Sequence, residues 1–186
     1  VITDADGNIY VASSTQSGDF PTTAGAASTT LSGQQDAVVF RLNPDLSNMD
    51  WCTFLGGSGN DAAYALKRDN AGTIYAAGGT TSSDFPSTSG AINAAYQGGI
   101  SDGYVANISS DGSSIIQSTY IGTNDYDQVH FVDLDAEGDL YITGQALGSY
   151  TVTPGTYSNP GSKQFIHKMS PCLLYTSDAA DEKVRG

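Results

Sequence analysis

An internal repeat constrains this chain more than any other feature, because self-similarity at a fixed period indicates an array of like structural units. The segment Gly7-Asn8-Ile9-Tyr10-Val11-Ala12 recurs as Gly72-Thr73-Ile74-Tyr75-Ala76-Ala77 and as Gly138-Asp139-Leu140-Tyr141-Ile142-Thr143. These copies begin at residues 7, 72 and 138, which gives a period of 65 or 66 residues. Other segments repeat at the same period: Asp19-Phe20-Pro21 with Asp84-Phe85-Pro86, Asp36-Ala37-Val38-Val39 with Asp102-Gly103-Tyr104-Val105, and Asp61 with Asp127.

Each unit contains four short stretches in which apolar and polar residues alternate, the period of a pleated strand. In the middle unit we predict strands at 61–68, 73–79, 102–109 and 114–121. Short turns that end in glycine, such as Asp69-Asn70-Ala71-Gly72, are typical of hairpins. Four strands per unit, repeated radially, form a propeller blade. We therefore predict an all-β fold, a partial β-propeller of four-stranded antiparallel blades. A solenoid or a β-sandwich is the competing fold.

The repeat also predicts the domain organisation. We expect residues 1–171 to form an incomplete propeller, with a partial blade at 1–56, a complete blade at 57–122 and a partial blade at 123–171. The chain opens in mid-pattern at Val1 rather than with methionine, so we expect the natural start to lie upstream. Partial blades should expose apolar faces that neighbouring blades normally cover.

The C-terminal segment differs from the repeat. Residues 172–182 read Cys-Leu-Leu-Tyr-Thr-Ser-Asp-Ala-Ala-Asp-Glu and resemble a translated sequencing adapter. We therefore expect residues 172–186 to be an artefactual tail, with a genuine helical end as the alternative. Cys172 belongs to this segment, which leaves Cys52 alone, so we predict no disulfide within the natural part of the chain.

Charge excludes some classes of partner. The chain has 20 acidic and 7 basic residues, a net charge of −13. Such a surface repels phosphate backbones and anionic lipid headgroups, so we expect no nucleic-acid partner and no membrane insertion. No run of apolar residues reaches the length of about 20 that a membrane-spanning helix needs. The acidic residues are interpreted as a solvated surface.

The motifs resemble those of the β-propeller repeat (SBBP) proteins of bacteria. The matching residues are Gly7 to Thr15 with Asp19-Phe20-Pro21, Asp36 to Leu42, Leu55-Gly56-Gly57-Ser58-Gly59-Asn60-Asp61, and Gly72 to Ala91. The third unit departs, because Ser149-Tyr150-Thr151-Val152 replaces the Asp-Phe-Pro turn, so that loop is open to another shape. The resemblance implies a large secreted or cell-surface protein. The partners it leaves open are an unknown protein or polysaccharide and the neighbouring blades of a longer chain.

Candidate sites are few. Asp4-Ala5-Asp6-Gly7-Asn8 is similar to the start of a calcium loop, but Ser13 stands where that pattern needs glutamate, so we interpret it as a hairpin turn.

The Phe-Pro pairs are interpreted as anchors of their long loops, and the variable stretches 27–35 and 92–101 as better sites of partner contact. His130 and His167 lie on strands with no motif around them. We predict no catalytic, cofactor-binding or metal-binding residue and no cofactor.

The sequence favours a binding or scaffold module that is not an enzyme, outside the cell or on its surface. One alternative is a propeller-type glycan hydrolase or lyase, with catalytic residues outside this segment. Another is a structural spacer in a large surface protein.

Overall fold

The computed structural model describes residues 1–159 and 161–173, and the remainder of the predicted tail lies outside them. The described chain contains eleven strands in three antiparallel sheets and no helix, hence none able to span a membrane. Sheet 1 contains β1 (Ile2–Thr3), β2 (Ile9–Thr15), β3 (Asp36–Leu42) and β4 (Met49–Leu55). Sheet 2 contains β5 (Asp61–Arg68), β6 (Ile74–Thr80), β7 (Asp102–Ile108) and β8 (Ile115–Ile121). Sheet 3 contains β9 (Asp127–Leu134), β10 (Leu140–Ala146) and β11 (Gln164–Met169).

Each sheet is a simple meander in which consecutive strands pair side by side. The four strands of sheet 2 agree with the predicted ones to within one residue at each end. Glycines with positive φ close the first hairpin of every sheet, namely Gly7, Gly72 and Gly138 at 82°, 95° and 92°. A side chain is strained in this conformation, which explains why glycine alone recurs there. The all-β repeat is therefore confirmed.

The three sheets are stacked, with sheet 2 in the middle. Its central strands β6 and β7 are buried along their whole length, because both of their faces are covered. One apolar core lies between sheets 1 and 2 and a second lies between sheets 2 and 3. Large members of the first core are Tyr10, Trp51, Leu66, Ile74, Tyr104 and Tyr120. Large members of the second are Tyr75, Ile121, Val132, Leu140, Ile142 and Met169.

The long loop between the second and third strands covers the free edge of the fourth strand. In sheet 1 the amide of Thr23 donates to the carbonyl of Cys52, and the amide of Phe54 donates to the carbonyl of Ser28. In sheet 2 residues 81–101 run along β8 in the same way. An unpaired strand edge invites association with other chains, so these loops protect both sheets.

Aromatic rings anchor the long loops, as predicted for the Phe-Pro pairs. Phe85 is buried, with its ring centroid 4.3 Å from that of Tyr104 and 6.1 Å from that of Tyr120. In sheet 3 Tyr150 takes the same place, stacked 4.4 Å from Phe165. The loop that departs from the Asp-Phe-Pro pattern therefore keeps its aromatic anchor.

Both cysteines are free, Cys52 buried and Cys172 exposed. Leu173, within the segment predicted to be artefactual, is buried in the second core. Its carbonyl accepts a hydrogen bond from the amide of Ile92 at 3.0 Å.

Candidate binding surface

The first strand of sheet 2 and the first strand of sheet 3 each contain a β-bulge that displaces one side chain from the regular alternation, Tyr64 in β5 and His130 in β9. β5 pairs regularly with β6 except at a bulge between Ala63 and Ala65, which leaves Tyr64 without a partner across the ladder. β9 has the equivalent irregularity, which leaves His130 without a partner opposite β10. Bulges turn a side chain away from the regular face of a sheet and recur beside functional sites. β5 and β9 contact each other, so the two bulges lie near one another.

These residues form a connected group, here called the Tyr–Gln–His cluster (Tyr64, Gln128 and His130). The Gln128 amide donates from Nε2 to the Tyr64 hydroxyl at 3.2 Å, and its Oε1 lies 3.4 Å from His130 Nε2. The Tyr64 and His130 rings meet edge to face with centroids 6.2 Å apart. Tyr64 is 48% exposed, so much of its side chain remains open to solvent.

A glycine makes room for the cluster. A Cβ atom at Gly79 would stand 3.1 Å from both Cγ and Nε2 of Gln128, closer than a side chain normally tolerates. Partial burial raises the pKa of Tyr64, and the nearby Tyr126 adds to this effect. Tyr64 is therefore a neutral phenol at physiological pH.

His167, the other histidine considered from sequence, lies elsewhere. Its Nδ1 is 2.9 Å from the Tyr150 hydroxyl, beneath the aromatic anchor of sheet 3. Burial lowers the pKa of His167, so the imidazole is neutral at pH 7. The structure therefore separates the two histidines: His130 joins the exposed cluster and His167 packs under a loop.

Four aspartates are the first residues of their strands, and all four are fully buried. They are Asp36 of β3, Asp61 of β5, Asp102 of β7 and Asp127 of β9. The interpretation of the acidic residues as a solvated surface is wrong for these four. Burial of a carboxylate is tolerated where amides and hydroxyls donate to it. Asp36 accepts the amides of Ser32 and Gly33 at 2.8 and 3.1 Å, and Asp102 accepts the amide of Gln97 at 2.5 Å.

The aspartates approach in pairs around two glycines. A Cβ atom at Gly122 would lie 2.8 Å from Oδ1 of Asp102 and 3.2 Å from Oδ2 of Asp127. Gly56 stands in the same relation to Asp36 and Asp61. Burial raises the pKa of Asp102 to about 7, and the neighbouring Asp127 adds to this effect. Burial also raises the pKa values of Asp61 and Asp127.

The linkers between sheets are tied to the loops of the following repeat. Asp84 of the Asp-Phe-Pro motif accepts the amide and the hydroxyl of Ser58 at 2.8 and 3.0 Å. The next two linker amides, from Gly59 and Asn60, donate to Ser82 and Thr81 hydroxyls. The Gly-Gly-Ser-Gly segment and the Asp-Phe-Pro segment are thus partners, a relation that sequence reasoning missed.

The calcium-like turns use their carboxylates internally. Asp4 accepts the amide of Asn8 at 2.9 Å, the side-chain amide of Asn8 at 3.0 Å and the hydroxyl of Tyr10 at 3.0 Å. These donors account for the recurrence of aspartate at the start of the turn. Within residues 1–159 and 161–173, no three His, Cys, Asp or Glu side chains are grouped in a way that could hold a metal ion.

The stretches 27–35 and 92–101 lie at the strand edges described above, and they contribute both paired and exposed residues. Ser28 and Asn93 are tied to β4 and β8, whereas Ile100 is largely exposed. No family model and no curated protein matches this chain.

Proposed function

We propose that the chain is a run of consecutive β-propeller blades from a secreted or cell-surface protein similar to the bacterial β-propeller repeat family. Its role in this proposal is to bind a protein or polysaccharide partner without catalysing a reaction. The observation that carries the proposal is that sheets 1 and 2 are each covered on the same face by the sheet that follows in the chain.

The repeated tyrosines on the second strands illustrate this rule. Tyr10 is buried where sheet 2 packs on sheet 1, and Tyr75 is buried where sheet 3 packs on sheet 2. Tyr141 holds the equivalent place in sheet 3 but is 37% exposed. A fourth sheet packed in the same direction would cover it, which is the arrangement of blades in a propeller.

The same face of sheet 3 is open and carries both polar and apolar side chains, with Asp133 and Lys168 on either side of Tyr141 in the register. Phe131 and Ile166 lie on either side of Thr143 in the register of the sheet and are 68% and 77% exposed. Their counterparts in sheet 2, Ala65 and Val105, pack in the core beneath sheet 3. Two large apolar side chains that are this exposed, at positions whose counterparts are buried, indicate an absent neighbouring sheet. We assign that place to a further repeat.

Two features support a binding role. Stacked sheets with buried central strands form a stiff support, and such supports commonly present ligand-contacting groups at their edges and loops. The Tyr–Gln–His cluster is an exposed group of this kind, formed across two repeats. The large acidic excess and the Ser- and Thr-rich loops suit an extracellular surface.

A binding array tests the proposal. The chain is labelled with a fluorophore and applied to a microarray of bacterial and plant polysaccharides and extracellular matrix proteins. Saturable binding to at least one spot is expected. If no spot binds saturably, the binding role is wrong and a structural spacer becomes the better description.

A further inference from the structure

The Tyr–Gln–His cluster has hydrogen-bonding capacity that its internal contacts leave unused. The Tyr64 hydroxyl accepts a hydrogen bond from Gln128, so its own proton is free to be donated. Gln128 and His130 meet through one polar atom each, Oε1 and Nε2. The described contacts of His130 leave its Nδ1 open to a ligand.

The same cluster presents an aromatic face. Tyr64 is 48% exposed, and its ring is inclined at 62° to that of His130, so the two rings are not stacked face to face. An aromatic ring with an open face and a polar tip suits ligands that combine apolar C–H surface with hydroxyl groups. Both rings stand at bulges in hydrogen-bonded strands, so little ordering is needed on binding.

The polar groups of the cluster discriminate among ligand classes. The contacts that join Tyr64, Gln128 and His130 involve hydroxyl, amide and imidazole groups, and none is an ion pair. An anionic ligand would meet a chain of net charge −13, which disfavours it. A pyranose ring offers C–H faces for stacking and hydroxyls that donate and accept, and carries no charge.

We propose that Tyr64, Gln128 and His130 form a binding site for a neutral carbohydrate, in which the sugar ring stacks on Tyr64 and its hydroxyls bond to Gln128 and His130. This inference rests on the proposed binding function and names its ligand class. A basic peptide, which the acidic surface would attract, is the rival occupant.

Isothermal titration calorimetry with defined probes tests the site. The probes are cellohexaose, xylohexaose and mannohexaose, with hexagalacturonate as the anionic comparator and hexalysine as the basic peptide. We expect saturable binding of at least one neutral hexasaccharide, and weaker binding of both charged probes. Binding of hexalysine in preference to every neutral probe, or no binding of any neutral probe, would overturn the assignment.

Variants locate the site. Tyr64→Ala should weaken binding of the neutral hexasaccharide at least tenfold, and Tyr64→Phe, which keeps the ring, should weaken it less. Tyr157→Ala is the matched control, because Tyr157 is 93% exposed in another loop and should not affect affinity. Thermal unfolding of each variant verifies that it is folded.

The two proposals fail in distinguishable ways. If array binding persists and Tyr64→Ala and Tyr64→Phe both bind as wild type does, the cluster is not the site although the binding role stands. If no array spot and no hexasaccharide binds, both the binding role and the site are wrong.

Discussion

At the residue scale, the buried aspartate pairs place carboxylates close together away from solvent. Oδ1 of Asp61, Asp102 and Asp127 is buried without a hydrogen-bond partner in the described structure. A buried ion without a counter-charge costs several kcal/mol, and a proton taken up by one member of a pair removes that cost. The glycines at 56 and 122 are required because a Cβ atom would collide with the carboxylates.

The raised pKa of Asp102 predicts a pH dependence of stability. An unfolded aspartate titrates near pH ~4, whereas burial holds the pKa of Asp102 at about 7. Between these values the unfolded chain releases a proton that the folded chain keeps, so the free energy of unfolding falls as pH rises. Asp102→Asn removes this titration. Its Tm should rise relative to wild type from pH ~4 to pH ~7, by about 2–4 °C per kcal/mol recovered.

Asp111→Asn is the control for this measurement. Hydrogen bonds from Ser109 and Ser113 lower the pKa of Asp111 to about 2, so its protonation hardly changes above pH ~5. The Tm difference between this variant and wild type should therefore stay constant from pH ~5 to pH ~7. A constant difference for Asp102→Asn as well would show that the pair does not hold a proton.

In two repeats a hydroxyl group donates to the buried aspartate that begins the sheet, but the hydroxyl comes from a different position in each repeat. In sheet 2 the hydroxyl of Ser82 donates to Asp61 at 2.8 Å, opposite Gly57. In sheet 3 the equivalent of Gly57 is Thr123, whose hydroxyl donates to Asp127 at 2.8 Å, and the equivalent of Ser82 is Gly148. A Cβ atom at Gly148 would collide with Thr123 Oγ1.

The exchange predicts a rescue. Thr123→Gly should destabilise the chain by about 2 kcal/mol, because the buried Asp127 loses a donor. Gly148→Ser should destabilise it alone, through the collision with Thr123, but should restore stability when combined with Thr123→Gly. Urea unfolding of wild type, both single variants and the double variant measures the coupling free energy between the two positions. If the two changes in the free energy of unfolding simply add, the rescue is contradicted.

At the element scale, one ring fixes each long loop. Phe85→Ala should cost about 3–5 kcal/mol, because Phe85 is buried between Tyr104 and Tyr120 and truncation leaves a cavity. Phe20→Ala is the matched substitution in sheet 1, where the ring is only partly buried, and it should cost less. Urea unfolding midpoints compare the two variants. An equal loss of stability in both would contradict the greater packing role assigned to Phe85.

The strands and turns could be predicted from sequence because alternation and glycine recur three times in register. Phe85 could be assigned a packing role for the same reason. The Tyr–Gln–His cluster could not be found, because it joins Tyr64 to Gln128 and His130 across two repeats through bulges that alternation does not reveal. The buried aspartates left a signal, since Asp36 and Asp61 recur as Asp102 and Asp127, but composition alone suggested a solvated surface.

At the scale of the whole molecule, the sheets are stacked in chain order, each added on the same face of the one before. Sheets 1 and 2 each bury one face against the next repeat, whereas sheet 3 leaves that face open with Phe131, Tyr141 and Ile166 exposed. The stability of repeat proteins grows with each neighbour interface. A further repeat should therefore stabilise the sheets already present.

Calorimetry of an extended chain tests this directional stacking most directly. Met169 is the counterpart of Ile108, so residues 1–169 can be followed by a second copy of 109–169 in register with the repeat. A chain extended by a Gly-Ser linker of equal length is the control. One cooperative transition at a higher Tm than that of the control is expected. Separate melting of the added copy, with the original transition unchanged, would contradict it.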